Sequence, residues 1–336
     1  MKNNAKKRKQ IIISIVVLVL AIALVARYFV KNTKRNAALQ TGNVSLGSGA
    51  SEESNIVHYK GKTYQYNKNL MNVLFLGIDT TQNLSQTVLT GDAGQSDCML
   101  VLSMDKQKKT ARLLQISRDT MTDVDTYDGA GKYVSTIQAQ ITLQYAYGTG
   151  EQSSCWASEK AVSRLLYDLP IDGYFSMNLN GITAVNDALG GVTLTLEEDA
   201  TDVDPTFKAG STITLKGDMA EKFVRKRDIT TSGSNLDRMQ RQTEYIRALF
   251  HTMQEYMHKN GDDFSTVYNQ LQLDSYAFTD LSMDQMKTMM SYDFLEQDIE
   301  TVPGTTKAGE EHDECYVDED ALYDLIIQMF YTEMKE

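Results

Sequence analysis

The chain is short of the residues that build metal and redox centres. Its 336 residues include three cysteines, Cys98, Cys155 and Cys315, and four histidines, 58, 251, 258 and 312. No CxxC and no Cys/His spacing suggests a metal cage. No HExxH, GxSxG, GxGxxG or Walker loop occurs, so none of those signatures offers a catalytic scheme. Three cysteines allow one disulfide and one odd thiol in an oxidising compartment, with the pairing open. Cys98, inside an apolar run, reads equally well as a buried hydrophobe.

Acidic charge is missing from the first 50 residues, which hold nine of the 33 lysines and arginines. The remainder carries 24 basic residues against 45 acidic ones, a net charge of −21. Such a surface is not a general polyanion binder, and nucleic acid is excluded as a partner. Any anion site must therefore be a local concentration of positive charge.

Long apolar runs are also lacking, with one exception. Ile11–Ala26 contains no charge and one hydroxyl, Ser14, and Tyr28, Phe29 and Val30 extend it past Arg27. With Arg27 snorkelling, residues 11–30 reach the ~20 residues of a spanning helix. Lys2, Lys6, Lys7, Arg8 and Lys9 place residues 1–10 in the cytoplasm by the positive-inside bias. A cleaved signal peptide is the alternative, but its small-x-small site, Ala21-Ile22-Ala23, lies inside the apolar run. A single-pass cell-membrane anchor with an extracellular C-terminal domain follows. Residues 31–58 read as a flexible stalk, Gly/Ser/Asn-rich to residue 55. Residues 59–270 read as the main domain, and residues 271–336 as a C-terminal α/β extension packed on it.

The main domain reads as α/β, with a mixed central β-sheet covered by helices on both faces. Asn72–Asp79, Cys98–Met104 and Thr110–Ser117 are strands, with a polar hairpin loop at 105–109 and a surface loop at 80–96. Helical periodicity appears near 137–147 and 157–167. A strand at 174–179 follows, then a helix at 181–189 that Asn180 can cap and Gly190-Gly191 stops. Further expectations are a strand at 192–196, helices at 217–226, 236–259 and 282–292, a strand at 298–302 and a last helix at 319–334.

Arginine is the most informative residue. Eight arginines follow residue 50, and five fall in three compact motifs: Ile116–Thr120 with Arg118, Phe223–Asp228 with Arg225 and Arg227, and Asp237–Gln242 with Arg238 and Arg241. Guanidinium binds phosphate bidentately and stays charged when desolvated. Arg238, Arg241, Gln242 and Tyr245 share one helical face, where like charges repel unless an anion sits between them. Arg225 and Arg227 share a side only on an extended backbone. Arg118 follows the C-terminal end of a strand, where α/β sheets commonly place ligands. Pairing with surface acids would explain one arginine but not this clustering. Asp79 and Asp97 flank neighbouring strand ends; beside phosphate oxygens they would make Mg²⁺ ligands, and otherwise they are turn residues.

At these motifs the chain resembles the LytR–CpsA–Psr family of cell-wall glycopolymer transferases. The segments are Asn72–Asp79 (NVLFLGID), Gly94–Asp97 (GQSD), Gln115–Thr120 (QISRDT), Tyr145–Gly148 (YAYG), Leu169–Tyr174 (LPIDGY), Asn186–Val192 (NDALGGV), Leu215–Asp228 (LKGDMAEKFVRKRD) and Asp237–Gln242 (DRMQRQ). The resemblance implies transfer of a polymer such as teichoic acid or capsule from undecaprenyl pyrophosphate to a peptidoglycan hydroxyl. It assigns Asp79, Asp97 and Arg118 to catalysis, and Asp79 and Asp97 to Mg²⁺ or Mn²⁺. Arg118, Arg225, Arg227, Arg238, Arg241 and Gln242 are assigned to the pyrophosphate. It also implies an apolar tunnel, for which Ile246, Leu249 and Phe250 are candidates. A non-enzymatic polyprenyl-phosphate binder regulating the wall, or a hydrolase of the lipid, are the alternatives. Two residues depart from the family pattern: Gln95 stands where arginine is usual, and Asn235 near where aspartate is frequent.

Overall fold

The computed structural model describes residues 55–227, 234–261, 263–310 and 312–334, without the side chains of 293–298. The anchor and most of the stalk lie outside them. Among the described residues no helix is long and apolar enough to cross a membrane. The chain divides into a small unit, whose described residues are 55–66 and 331–334, and a large one spanning 67–330.

In the small unit β1 (Ile56–Tyr59) and β2 (Lys62–Tyr66) form an antiparallel hairpin. Regular structure therefore begins inside the segment read as stalk. In chain order the large unit then contributes β3 (Leu70–Ile78), β4 (Ser96–Asp105), β5 (Thr110–Ile116), β6 (Met121–Tyr127) and β7 (Tyr133–Gln140). Next come helices α1 (Leu143–Ala146) and α2 (Glu151–Leu165), β8 (Gly173–Asn178), α3 (Leu179–Ala188), β9 (Val192–Thr195), β10 (Thr212–Leu215), α4 (Asp218–Arg225) and α5 (Ser234–Lys259). The remainder is α6 (Phe264–Gln270), β11 (Ala277–Thr279), α7 (Met283–Met289), β12 (Asp293–Thr301), the hairpin of β13 (Gly304–Ala308) and β14 (Asp313–Val317), and α8 (Glu319–Phe330). A last strand, β15 (Tyr331–Glu333), pairs with β2 in the small unit.

The expected mixed sheet is present, in the order β11-β8-β3-β4-β5-β12. β3 runs parallel to β8 and antiparallel to β4. Residues beyond 270 supply two of its six strands, so they are part of the same sheet rather than an addition to it. Strand alternation sends Met71, Val73, Leu100, Leu102 and Leu113 to one face, under α5, α6 and α7. The other face holds Leu74, Leu76 and Ser176; there α2 packs on β8, and Cys155 Sγ meets Ser176 Oγ at 3.6 Å. Gly77 permits the closest approach of β3 to β4, since a Cβ there would lie 2.9 Å from that of Cys98.

Several local expectations change. Residues 137–140 are strand, not helix: Thr136 and Ile137 are β-branched and pair with β6 in a hairpin, while helix is confined to Leu143–Ala146. Lys160 and Arg164 hold that hairpin to α2 through Asp125, each at 2.9 Å. The cap of α3 is Asn178, whose side chain accepts from Gly181 N, while Asn180 donates to Thr81 O. α2 starts six residues before the expected 157, where Gly150 turns with φ +79. The final helix stops at Phe330, because 331–333 pair as a strand. All three cysteines are free thiols. Burial pushes the thiols of Cys98 and Cys155 up to about 12.

Two expected outcomes follow. Thiol titration of the unfolded chain, without reductant, should find three reactive groups; two or fewer would contradict the free-thiol arrangement. Burial, aided by Asp280 and Asp172, pushes the Glu159 carboxyl up to about 7. Burial does the same for Glu244, against a hydrogen bond from Gln240. Both lie above the unfolded value of ~4.3, so their stabilising protons are fully present below that pH and are lost as pH rises through about 7. The Asp125 carboxyl behaves oppositely: burial acts to raise it, but hydrogen bonds from Arg164, Thr136 and Lys160 hold it well below the usual range. Its contribution is lost only below pH ~3.9. The melting temperature should therefore rise from pH 8 to pH 5, and the double variant Glu159→Gln/Glu244→Gln should flatten that rise.

Candidate functional site

The site forms where the C-terminal ends of β3 and β5, the start of β4, the end of α4 and the first turns of α5 converge. Asp79 directly follows β3, and its backbone N–H donates to Gln95 O at 2.9 Å. That bond draws the two strand ends together, so Asp79 and Asp97 line the same opening. Arg118 lies two residues past β5. Its backbone oxygen accepts from Thr142 N at 3.3 Å, and Thr142 Oγ1 donates to Ser96 O at 3.1 Å. Gln115, buried in β5, donates to Met239 O at 2.7 Å and fixes the start of α5 against the sheet.

Asp97 is the centre. One of its oxygens accepts from Arg118 Nη1, and the other lies 3.5 Å from Arg238 Nη1. Arg118 Nη2 donates to Gln95 Oε1 at 2.8 Å, and Arg238 Nη2 to Asn235 Oδ1 at 2.6 Å. Arg238 is only 4% exposed. Burial holds its pKa below the ordinary arginine value; Asp97 pulls it back up, while Arg227 and Arg118 push it further down. Asp119, also buried, has its carboxyl pushed up by burial against the pull of Arg118, Arg227 and Arg238. It accepts from Asn235 Nδ2 at 2.8 Å and Gln140 Nε2 at 3.1 Å. The Nε–H groups of Arg118 and Arg238 are buried and make no hydrogen bond among the described residues. Arg118 Nε nevertheless lies 3.6 Å from the Asp119 carboxylate. Buried donors are ordinarily satisfied, so the cationic Arg238 Nε, with no such partner among the described residues, is consistent with a site for an anion.

The other sequence candidates divide. Arg225 ends α4 and binds Asp79 at 3.0 Å and Glu221 at 2.7 Å. Lys226 is extended there, φ −59 and ψ 132, as a shared side for Arg225 and Arg227 requires. Arg227 acts on Asp119 and Arg238 through its charge. Arg241 does not join the cluster. Its Nε donates to Phe223 O at 3.0 Å, its Nη2 to Lys226 O, and it lies 3.6 Å from Asp202. Gln242 Nε2 donates to Val224 O at 3.2 Å, although its side chain borders the opening. Sixty degrees of helix rotation separate Arg241 from Arg238, enough to send it to the end of α4, where it satisfies orphan carbonyls. Sequence reading did not single out Asp119 or the bridging geometry of Asn235. The polar run Ser117-Arg118-Asp119-Thr120 directly after an apolar strand was the available signal.

Beneath the arginines lies an apolar cavity of about 200 Å³. Phe75 and Phe175, with ring centroids 5.4 Å apart, form part of its sheet side. Ile246, Leu249 and Phe250 of α5, which could equally have been plain core, line it, as do Met253, Met286 and Met289. Asp79, Asp97, Arg225, Arg238 and Gln242 border the same cavity. The arrangement can hold a compact polyanion at one end and a hydrocarbon chain at the other.

Residues 33–328 match the sequence model of the LytR_cpsA_psr family, and the chain belongs to that family. One relative is the polyisoprenyl-teichoic acid–peptidoglycan teichoic acid transferase TagU of Oceanobacillus iheyensis, 28% identical over 228 residues. The match covers 67% of this chain and 63% of that protein, so this chain spans less than two thirds of that relative. The corresponding TagT transferase of Bacillus subtilis strain 168 is 29% identical over 258 residues, 74% of this chain and 71% of the relative. A solved structure of TagT bound to LI-WTA superposes with a TM-score of 0.57 at 21% identity, covering 78% of this chain and 89% of that one. At that identity the likeness establishes the mixed α/β fold.

The two kinds of arginine should separate experimentally. Arg241→Ala strips two carbonyl partners from the end of α4 and should cost about 3 kcal/mol in denaturant unfolding. Arg118→Ala loses its pairs with Asp97 and Asp119 but also relieves repulsion from Arg238, and the two effects offset, so stability should shift by about 1 kcal/mol or less. Equal losses would contradict the division.

Proposed function

We propose that the chain is a membrane-anchored transferase that moves a glycopolymer from a polyprenyl pyrophosphate carrier to a hydroxyl of peptidoglycan. The observation that carries this reading is the placement of the buried Arg238, together with Arg225, at the mouth of an apolar cavity, with Arg118 joined to Arg238 through Asp97. A lipid pyrophosphate has the matching chemistry, with charge at one end and hydrocarbon at the other. The relatives' activity, polyisoprenyl-teichoic acid–peptidoglycan teichoic acid transfer, agrees with it.

In this reading Arg118, Arg238, Arg225 and Arg227 hold the pyrophosphate oxygens, and the cavity takes the first isoprene units. The acceptor hydroxyl attacks the sugar-side phosphorus. A new P–O bond forms to the glycan, the bridging P–O bond breaks, and polyprenyl phosphate leaves. Fixed guanidinium charges stabilise the negative charge that develops on the phosphate and on the leaving group. The hydroxyl proton passes to a carboxylate at the opening. Asp79, which engages one oxygen with Arg225 and keeps 42% of its side chain exposed, is the better placed acceptor; Asp97 is committed to two arginines.

The donor set also fits Mg²⁺ or Mn²⁺. Among the described residues no cluster of three or more His, Cys, Asp or Glu side chains forms a metal cage. Two carboxylates bordering a phosphate site are nevertheless the partial set that Mg²⁺ takes, completed by phosphate and water. Asp79 and Asp97 would hold it, and it would supply further neutralisation of the phosphate oxygens. Residues 11–30 would tether the domain at the outer membrane surface, where such a lipid presents its headgroup.

Purified full-length chain in detergent, given Mg²⁺, a labelled polyprenyl-pyrophosphate saccharide and wall glycan, should place label on the glycan. Arg118→Ala should lower the rate by roughly 10²–10³-fold, and chelation should suppress it. Released phosphosaccharide without labelled glycan would make the protein a hydrolase. Binding with no turnover would make it a regulator.

A further inference from the structure

The arginine pair is held by two amides, and that choice has a chemical consequence. Gln95 Oε1 accepts from Arg118 Nη2 at 2.8 Å, and Asn235 Oδ1 accepts from Arg238 Nη2 at 2.6 Å. Asn235 is 3% exposed, and its other end donates to Asp119 at 2.8 Å and Ser117 Oγ at 3.2 Å. Those donations fix the amide orientation, since only the oxygen can face a guanidinium. Gln95 is fixed by the same logic.

Three guanidiniums, Arg118, Arg227 and Arg238, act on this point, against Asp97 and Asp119, with Asp313 acting on Asp119 from one side. Carboxylates at 95 and 235 would offer the same oxygens to the same arginines. They would also turn the cluster anionic, and a pyrophosphate would then meet net repulsion. An amide oxygen orients a guanidinium without cancelling its charge.

We propose that Gln95 and Asn235 are positioning residues whose neutral oxygens lock Arg118 and Arg238 in place while leaving their charge available to a pyrophosphate. The inference rests on the pyrophosphate reading of the site. It makes the two departures from the family's residue pattern parts of one device acting on one arginine pair. Bracing of Arg118 alone would be served equally well by glutamate at 95, whereas at 235 the amide must also donate to Asp119; charge conservation is served only by the amides.

The test pairs thermal melting with binding of geranylgeranyl pyrophosphate to the full-length chain in detergent. Gln95→Glu keeps the acceptor and adds an ion pair with Arg118. It should melt at or above the wild-type temperature yet bind at least tenfold more weakly. Asn235→Asp should also bind at least tenfold more weakly and should melt lower, since its carboxylate faces Asp119. A bracing role without charge conservation requires wild-type binding by Gln95→Glu, so folded Gln95→Glu binding within twofold of wild type overturns the proposal. Should that variant not fold, Gln95→Met keeps the shape and removes the oxygen. Its binding should weaken at least threefold, and wild-type binding would overturn the proposal. Arg118→Ala and Arg238→Ala separate the levels. If both bind as wild type, the pyrophosphate reading itself fails. If both lose binding while Gln95→Glu keeps it, only the role of the amides fails.

Discussion

Two guanidinium groups share one carboxylate in the interior of this protein, and the structure around them is organised by that constraint. Withdrawing an arginine from water is costly unless its hydrogen bonds are replaced. Asp97 supplies one contact to each arginine, and Gln95 and Asn235 supply one more to each. Asp119 completes the shell, held by Asn235 and Gln140. The shell stops short of full satisfaction: among the described residues neither Nε–H makes a hydrogen bond, and Arg118 Nε reaches Asp119 only at 3.6 Å. A folded protein keeps such a deficit only where the surrounding packing enforces it. Here the enforcement comes from five segments that meet at the strand ends and are cross-tied by Gln115, Thr142 and the backbone of Gln95.

The sheet serves the site by being different on its two faces. On one face α2 packs closely, with Cys155, Ala161 and Val162 fully buried against the strands. On the other, α3, α5 and α7 stand around a cavity lined by aromatic, aliphatic and methionine side chains. Protein interiors normally fill such space. An apolar cavity that opens directly under a cationic cluster has the shape and lining that the proposed ligand, with its hydrocarbon part, requires. The methionines suit this, since their unbranched, polarisable side chains adapt to an irregular chain.

The chemistry was more legible in the sequence than the architecture. Arginine is scarce in the folded part, so its concentration in three motifs stood out; Arg118, Arg227 and Arg238 interact around Asp97 and Asp119, while Arg225 pairs with Asp79 and shares only the cavity border with Arg238. Asp79 and Asp97 were readable as strand-end acids because apolar runs bracket them. Arg241 was not separable from Arg238, since helix spacing gives a face but not what lies opposite it; the end of α4 lies there. The β6–β7 hairpin was missed for a related reason. β7 is largely exposed, so it carries no buried alternation, and its isolated apolar residues mimic a helical period. The role of Asn235 needed the third dimension in part: Arg238 lies three residues on along the same helix, but Asp119 meets it from the segment after β5.

The acidic surface and the cationic site are parts of one selectivity argument. Beyond residue 50 the chain carries a net charge of −21, yet its candidate site concentrates arginines, as the proposed anionic ligand requires. At physiological ionic strength the field of exposed carboxylates decays over ~8 Å, so it repels free anions near the surface without reaching the buried arginines. A soluble phosphate or diphosphate gains only the arginine contacts and must approach through that field. An amphiphilic ligand gains the cavity as well, at roughly 0.8 kcal/mol for each buried methylene. A few buried isoprene carbons therefore outweigh the surface repulsion that a small anion cannot overcome. In such an arrangement the arginines recognise the headgroup, and the cavity determines which headgroup-bearing molecules can reach them.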